Sequence, residues 1–205
     1  MLGRKGSGKT TQLCHLLSSP TYGNRAVLVD PTASIDFGIT VDDLHSLEAM
    51  LDRQADYKFR IRYPHLQSIG RWDLTDRNFL KIEAILKLCF DVGQMTIVID
   101  EVDTVCSPYG IPPTFRRLLA RGRHDSLNLI WTARRPQEVS KLLLSQTDEF
   151  FLFGMHHNDD VDYFQKFMQF NRDDVLNLKV GESLHWAAGE STSQPTAKKT
   201  GDVRL

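Results

Sequence analysis

Residues 3–11 read GRKGSGKTT, and the fold is decided there. Gly3, Gly8, Lys9 and Thr10 fill the fixed positions of a G-x-x-x-x-G-K-[ST] phosphate-binding loop. The glycines let the backbone turn so that several N–H groups converge on one phosphate oxyanion. The cradle is then Gly3, Arg4, Lys5, Gly6, Ser7, Gly8, Lys9, Thr10 and Thr11. Within it the Lys9 ammonium reaches the β- and γ-phosphates and the Thr10 hydroxyl is a ligand for Mg²⁺. The run that follows, TTQLCHLLSS, puts Leu13, Leu16 and Leu17 on one face, so a helix is expected to aim its N-terminus at the phosphates. The motif predicts a nucleoside triphosphate as ligand.

A phosphate loop is normally fed by a central strand, yet only Met1 and Leu2 precede Gly3. Either the sequence starts late, or these two residues make a stub of that strand. Downstream, NRAVLVDP predicts a short buried strand over 25–30 that Pro31 stops. TASIDFGIT (32–40) is rich in turn residues. VDDLHSLEAMLDRQ (41–54) predicts a helix with Asp42 or Asp43 as N-cap. YKFRIRYP alternates with period two, which predicts a half-exposed strand, and residues 75–92 carry a helical stripe of Phe79, Ile82, Ile85, Leu86 and Cys89. Three apolar runs follow, MTIVID, LNLIWT and EFFLFG. They suit parallel strands covered on both faces and joined by the helical crossovers TFRRLLARGR and QEVSKLLLSQ. A helix over DDVDYFQKFMQ and a closing strand within LNLKVGESLHW complete the pattern.

These signals predict an α/β protein with a mostly parallel central sheet and helices on both faces. The core is expected over residues 1–189, followed by a polar, mobile tail over 190–205. With 205 residues the chain has room for one such unit and a sizeable core. No apolar run is long enough to span a membrane. Cys14, Cys89 and Cys106 have no metal or disulfide spacing and read as reduced thiols, Cys14 and Cys89 as helix packing residues, which suits a cytoplasmic setting. A net charge of −1, from 25 basic and 26 acidic residues, argues against bulk electrostatic binding of nucleic acid by one copy. A ring of copies still leaves room for a basic strip at its centre.

TIVIDEVD (96–103) places Asp100 and Glu101 at the end of an apolar strand. Asp at this position holds the Mg²⁺ shell, and an adjacent Glu acts as general base on water. That pair favours hydrolysis over phosphate transfer to a small molecule. LNLIWTARRPQEV (127–139) predicts a strand beside the phosphate loop, with Thr132 and Arg134 as candidates to sense the γ-phosphate. RRLLARGRHD carries Arg116, Arg117, Arg121 and Arg123, which read either as a solvated face or as arginines offered to a neighbouring copy's nucleotide, Arg123 first.

Together these motifs resemble the FtsK/HerA superfamily. GRKGSGKT, VLVDP, TIVIDEVD and the block GRHDSLNLIWTARRPQEVSKLLLSQTDEFFLFGMHHNDDVDYF (122–164) occur in the family's order. The last block is similar to its Gly-Arg, hydrophobic strand and Thr-x-Gln-Arg-Pro succession, and VGESLHW to a Gly-Glu turn near the end of HerA cores. The resemblance spans roughly residues 3–165 and weakens between 32 and 93. It implies a RecA-like P-loop fold, ATP with Mg²⁺, Glu101 as catalytic base, Arg123 acting in trans, assembly into a ring (hexamer or pentamer), and translocation of double-stranded DNA. One departure stands out: Arg134 occupies the place of the family's Gln, so a fixed cation replaces a neutral donor and acceptor.

The short chain has no room for HerA's N-terminal barrel or FtsK's membrane and winged-helix parts. It is similar in size to the genome-packaging ATPases of membrane-containing viruses. That implies capsid or capsid-membrane proteins as partners, and a place in the host cytoplasm or on the virion. Alternatives are a cellular or plasmid HerA-like motor, a nucleotide-dependent phage assembly or scaffold factor, and a small-molecule kinase, against which Glu101 argues. Candidate DNA contacts are the loop CSPYGIPP (106–113), the strand face of Lys58, Arg60 and Arg62, and the tail residues Lys198, Lys199 and Arg204.

Overall fold

The computed structural model describes residues 1–53, 58–66 and 77–188, with the backbone of 197–199. In chain order the elements are α1 (Lys9–Ser18), α2 (Pro20–Gly23), β1 (Arg25–Val29), β2 (Ile39–Thr40), α3 (Leu44–Arg53), β3 (Phe59–Tyr63), α4 (Arg77–Val92) and β4 (Thr96–Ile99). There follow α5 (Pro113–Arg121), β5 (Asn128–Trp131), α6 (Lys141–Ser145), β6 (Glu149–Phe153), α7 (Asn158–Phe164), α8 (Arg172–Leu176), β7 (Glu182–Ala187) and β8 (Ala197–Lys199). The expected start of the α4 helix at Thr75, Tyr57 of the alternating strand and most of the polar tail lie outside the described residues.

Five strands form a wholly parallel sheet in the order β2-β3-β1-β4-β5. A second, antiparallel sheet runs β6-β7-β8. Leu2 joins them by bridging in parallel to Ala133, just past β5, and to Leu152 of β6. Its N–H donates to the Phe151 carbonyl (3.0 Å), and its own carbonyl accepts from the Phe153 N–H (2.8 Å). On the other side Ala133 N–H donates to the Met1 carbonyl at 3.0 Å and Gly3 N–H to the Ala133 carbonyl at 3.3 Å. Met1 and Leu2 are thus a stub of the central strand, and the phosphate loop begins between β5 and β6. Beneath Met1, toward the amino ends of these two strands, lies a cavity of about 260 Å³.

Side chains alternate along each strand and so feed two apolar layers. Ala26, Leu28 and Val98 pack with Leu13 and Leu17 of α1 on one face. Val27, Val29, Ile97 and Ile99 pack with Leu47 and Leu51 of α3, the buried stripe of α4 and Phe115 of α5 on the other. This is the doubly covered α/β arrangement expected. Asp43 caps α3, its carboxylate accepting from the Ser46 N–H and the Ser46 hydroxyl, both at 2.8 Å. Among the described residues no helix is long and apolar enough to cross a membrane.

Two expectations change. Cys14 is exposed on α1, whereas Cys89 and Cys106 are buried, because the apolar face of α1 turns Leu13 and Leu17 inward and Cys14 away. On the strand face of Lys58, Arg60 and Arg62, the two arginines already have partners within the chain. Arg60 donates to the carbonyls of Gly23 (2.8 Å) and Leu17 (3.1 Å), and Arg62 to the Ile35 carbonyl (2.6 Å). Arg60 ties the ends of α1 and α2 to β3, and Arg62 ties the loop before β2 to it.

Leu2 is fully buried and holds both sheets, so Leu2→Ala is expected to lose about 2–5 kcal/mol of stability in urea unfolding. Ile39→Ala, at a site 53% exposed, is expected to change it by no more than about 0.5 kcal/mol.

Candidate active site

α1 starts at Lys9, directly after Gly8, whose φ of +110° lies in the left-handed region. A Cβ on Gly8 would lie 3.1 Å from the Gly181 Cα, and one on Gly3 only 2.6 Å from the Phe153 Cβ. The loop is therefore pressed from behind by Phe153 of β6 and by the turn that precedes β7, where Gly181 N–H donates to the Ser7 carbonyl at 3.0 Å. Lys9 folds back over the loop, its Nζ donating to the carbonyls of Gly3 (2.6 Å) and Arg4 (2.9 Å). Burial pushes the Lys9 ammonium below its ordinary range, while Asp100 and Glu101 pull the other way. The Arg4 guanidinium meets His156 Nε2 at 2.7 Å. Ser7 Oγ is buried without a hydrogen-bond partner.

The parallel register sets the carboxylates. Asp100 N–H donates to the Val29 carbonyl at 3.0 Å, which extends the β1–β4 ladder by one residue. Thr132, just past β5, then braces the pair. Its hydroxyl donates to Asp100 Oδ1 at 2.5 Å and accepts from the Glu101 N–H at 2.9 Å. The chain turns sharply here, with Glu101 at φ +50° heading a single 3₁₀ turn over Val102–Thr104. Asp30, at the end of β1, is buried beside them and accepts from the Ile35 N–H (2.9 Å) and the Thr32 hydroxyl (3.0 Å). Burial chiefly raises the Asp100 carboxyl above its ordinary range; Thr132 opposes this and Asp30 adds to it. Burial likewise raises Glu101, against the pull of Arg134.

Arg134 lies over this turn. Its Nε is 3.7 Å from Glu101 Oε1, and an NH2 nitrogen is 3.6 Å from Asp103 Oδ2. Thus Lys9, Asp100, Glu101, Thr132 and Arg134 come together, although the Thr132 proton is already given to Asp100. Arg123 stands apart, 80% exposed, ion-paired with Asp148 and bordering the cavity under Met1. Arg135 is committed to Asp160, with Nε 3.0 Å from Oδ2.

Among the described residues no three His, Cys, Asp or Glu side chains converge as a metal cage. A hard dication that keeps its waters and binds phosphate needs none. The donors here are oxygens: the Asp100 carboxylate, held by Thr132 and crowded by Asp30, and the Thr10 hydroxyl one residue into α1. They fit Mg²⁺ carried in on a nucleotide. Asp30 and Asp103 were not assigned chemistry from sequence. Asp30 follows an apolar strand as Asp100 does, which was a usable signal. Asp103 read as one more acid in a polar turn.

No family model matches the sequence. The chain is 26% identical over 214 aligned positions to the DNA packaging ATPase P9 of Enterobacteria phage PRD1, spanning 96% of this chain and 87% of the relative. It superposes on the genome packaging NTPase B204 of Sulfolobus turreted icosahedral virus 2 in complex with ATP-gammaS, with a TM-score of 0.71 at 18% identity, covering 96% and 92% of the two chains. VirB4 of Thermoanaerobacter pseudethanolicus matches at a TM-score of 0.55 and 12% identity, covering 91% and 85%. In sequence the chain is similar to a phage DNA packaging ATPase, and it shares the fold of viral genome packaging NTPases. Within this chain the order of elements at the site is phosphate loop, β5, β4, so one strand separates Lys9 from Asp100 and Glu101.

Because burial raises the Asp100 carboxyl, its ionised form destabilises the folded chain at neutral pH. That penalty is absent below the unfolded value of 3.8, grows as pH rises from there, and is complete above the folded value. Asp100→Asn is therefore expected to raise the thermal midpoint at pH 7, with the gain closing as pH falls toward 4. Melts at both pH values check this.

Proposed function

We propose that this ATPase hydrolyses ATP to drive double-stranded DNA into a viral particle. The observation that carries the reading is the site itself: a phosphate loop, a buried Asp braced by Thr132, and an adjacent Glu101 that is a quarter exposed and faces the same space as Lys9. Its similarity to a phage DNA packaging ATPase and to a viral genome packaging NTPase supports the kind of work.

In this mechanism the backbone of residues 3–11 holds the phosphates. Lys9 leaves the Gly3 and Arg4 carbonyls to meet the β- and γ-oxygens. Thr10 and Asp100 would hold Mg²⁺, which would supply neutralisation of phosphate charge. Glu101 takes the proton of the attacking water, and its raised carboxyl makes it a better base than a solvated glutamate. Arg134 takes up charge on the γ-phosphate. Arg123, exposed and away from its own site, serves the site of a neighbouring copy in a homo-oligomeric ring, leaving Asp148 to do so. The ring threads DNA through its centre, and capsid proteins recruit it in the host cytoplasm or on the virion. The motor core extends past the boundary expected at residue 189, because Ala197–Lys199 of the expected mobile tail pair with β7 as β8. Loop 106–113 remains the candidate DNA contact: Ser107 and Gly110 pair across it, and Tyr109 stands 93% exposed at its tip.

Steady-state ATP hydrolysis is expected to rise with linear double-stranded DNA, and Glu101→Gln to lower kcat at least about 100-fold. Hydrolysis indifferent to DNA would favour an assembly factor instead. Arg123→Ala and Glu101→Gln chains, each inactive alone, are expected to regain part of the activity when mixed, since each supplies what the other lacks. Failure of mixing to restore any activity would refute the trans role of Arg123.

A further inference from the structure

Arg134 is shared between two carboxylates of one short turn. Separations of 3.7 Å to Glu101 and 3.6 Å to Asp103 are longer than the roughly 2.7–2.9 Å of a charge-assisted hydrogen bond. The guanidinium is attracted to both and locked to neither, and its own side chain is 46% exposed. Asp103 is the deeper partner, 9% exposed, and its second oxygen, Oδ1, is buried with no hydrogen-bond partner. The neighbouring Thr104 hydroxyl is also buried without a partner, and Glu101 sits in the left-handed region. A strained residue and two unsatisfied polar atoms in four consecutive positions mark a segment that outside contacts hold in place.

The resemblance places Gln where this chain has Arg134. Gln in place of Arg134 would need no counter-ion. Arg does, and Asp103, two residues beyond Glu101, supplies it. A terminal phosphate offers the same planar fork two oxygens and more charge than either carboxylate. Arg134 already feels Lys9, whose ammonium it helps to depress, so the place where Lys9 meets a phosphate is within its electrostatic reach.

We propose that Asp103 is a positioning residue that docks Arg134 in the nucleotide-free state and releases it when a γ-phosphate arrives. This deepens the ATP reading above and rests on it. Docked, Arg134 also neutralises Glu101, so the base is quiet while the site lacks a γ-phosphate. Transfer of the guanidinium to that phosphate frees Glu101 for water. A nucleoside diphosphate, without the terminal group, leaves Arg134 where it is.

The test is calorimetric binding of Mg²⁺ with ADP and with ATPγS to the full chain, comparing wild type, Asp103→Asn, Arg134→Gln and the double variant. Removing the docking charge is expected to tighten ATPγS about two- to fivefold while leaving ADP unchanged. In the Arg134→Gln background the same substitution is expected to leave the ATPγS-to-ADP ratio where it was. An unchanged ratio in Asp103→Asn overturns the proposal. So does an equal shift in both backgrounds, since plain removal of a negative charge near phosphate gives that result. Asp103→Ser, which keeps a small polar group in the turn, serves if the Asn variant is misfolded by circular dichroism. A wild-type chain that binds neither nucleotide refutes the ATP reading itself, and the docking role with it.

Discussion

The pairing of Leu2 to β5 on one side and β6 on the other is the constraint from which the site follows. Its two hydrogen bonds to β6, together with the flanking bonds between Ala133 and residues 1 and 3, fix where the phosphate loop leaves the sheet. Because β4, β5 and the Leu2 stub are parallel, their carboxyl ends finish abreast. Lys9, Thr132 and Asp100 then face one space without any loop having to reach for it. Open α/β sheets bind ligands at such carboxyl ends because helix N-termini and loop amides converge there. Phe153 and Gly181 press the phosphate loop from behind, so the second sheet supports the site although it carries none of the reacting groups.

Much of this was legible in the sequence, for local reasons. The phosphate loop is a spacing of residue types whose roles depend on backbone shape. The strands 96–99, 128–131 and 149–153 announce themselves as apolar runs, and Asp100 with Glu101 as the polar residues that end one of them. What was not legible depends on partners far along the chain. Nothing local tells that Leu2 is bridged on both edges, that Arg60 and Arg62 serve the carbonyls of α1, α2 and the loop before β2, or that Thr132 has given its proton to Asp100. Asp43 rather than Asp42 caps α3 because only Asp43 meets Ser46, a matter of one residue's phase. Cys14 shows the limit of periodicity: it lies in a helix, but one turned so that its leucines face the sheet.

The electrostatics of the site are unbalanced as it stands. Asp30, Asp100, Glu101 and Asp103, all partly or wholly buried, gather around buried Lys9 and the exposed Arg134. Burial raises Asp100 and Glu101 and lowers Lys9, each shift disfavouring the charged form that the chemistry uses. Such strain is expected where function requires it. In the proposed reading, phosphates would bring negative charge to Lys9 and Arg134 and a dication would bring positive charge to the acids, so the two together would relieve what neither would alone. Arg123 belongs to a different region: it is exposed and ion-paired with Asp148.

The central claim is that hydrolysis at this site moves DNA. Its most direct test is ATP-dependent displacement of a third strand annealed to linear duplex DNA, with Mg²⁺ present. The account predicts displacement with ATP by the wild-type chain, and none with ATPγS. Brisk, DNA-stimulated hydrolysis that leaves the third strand in place would contradict it.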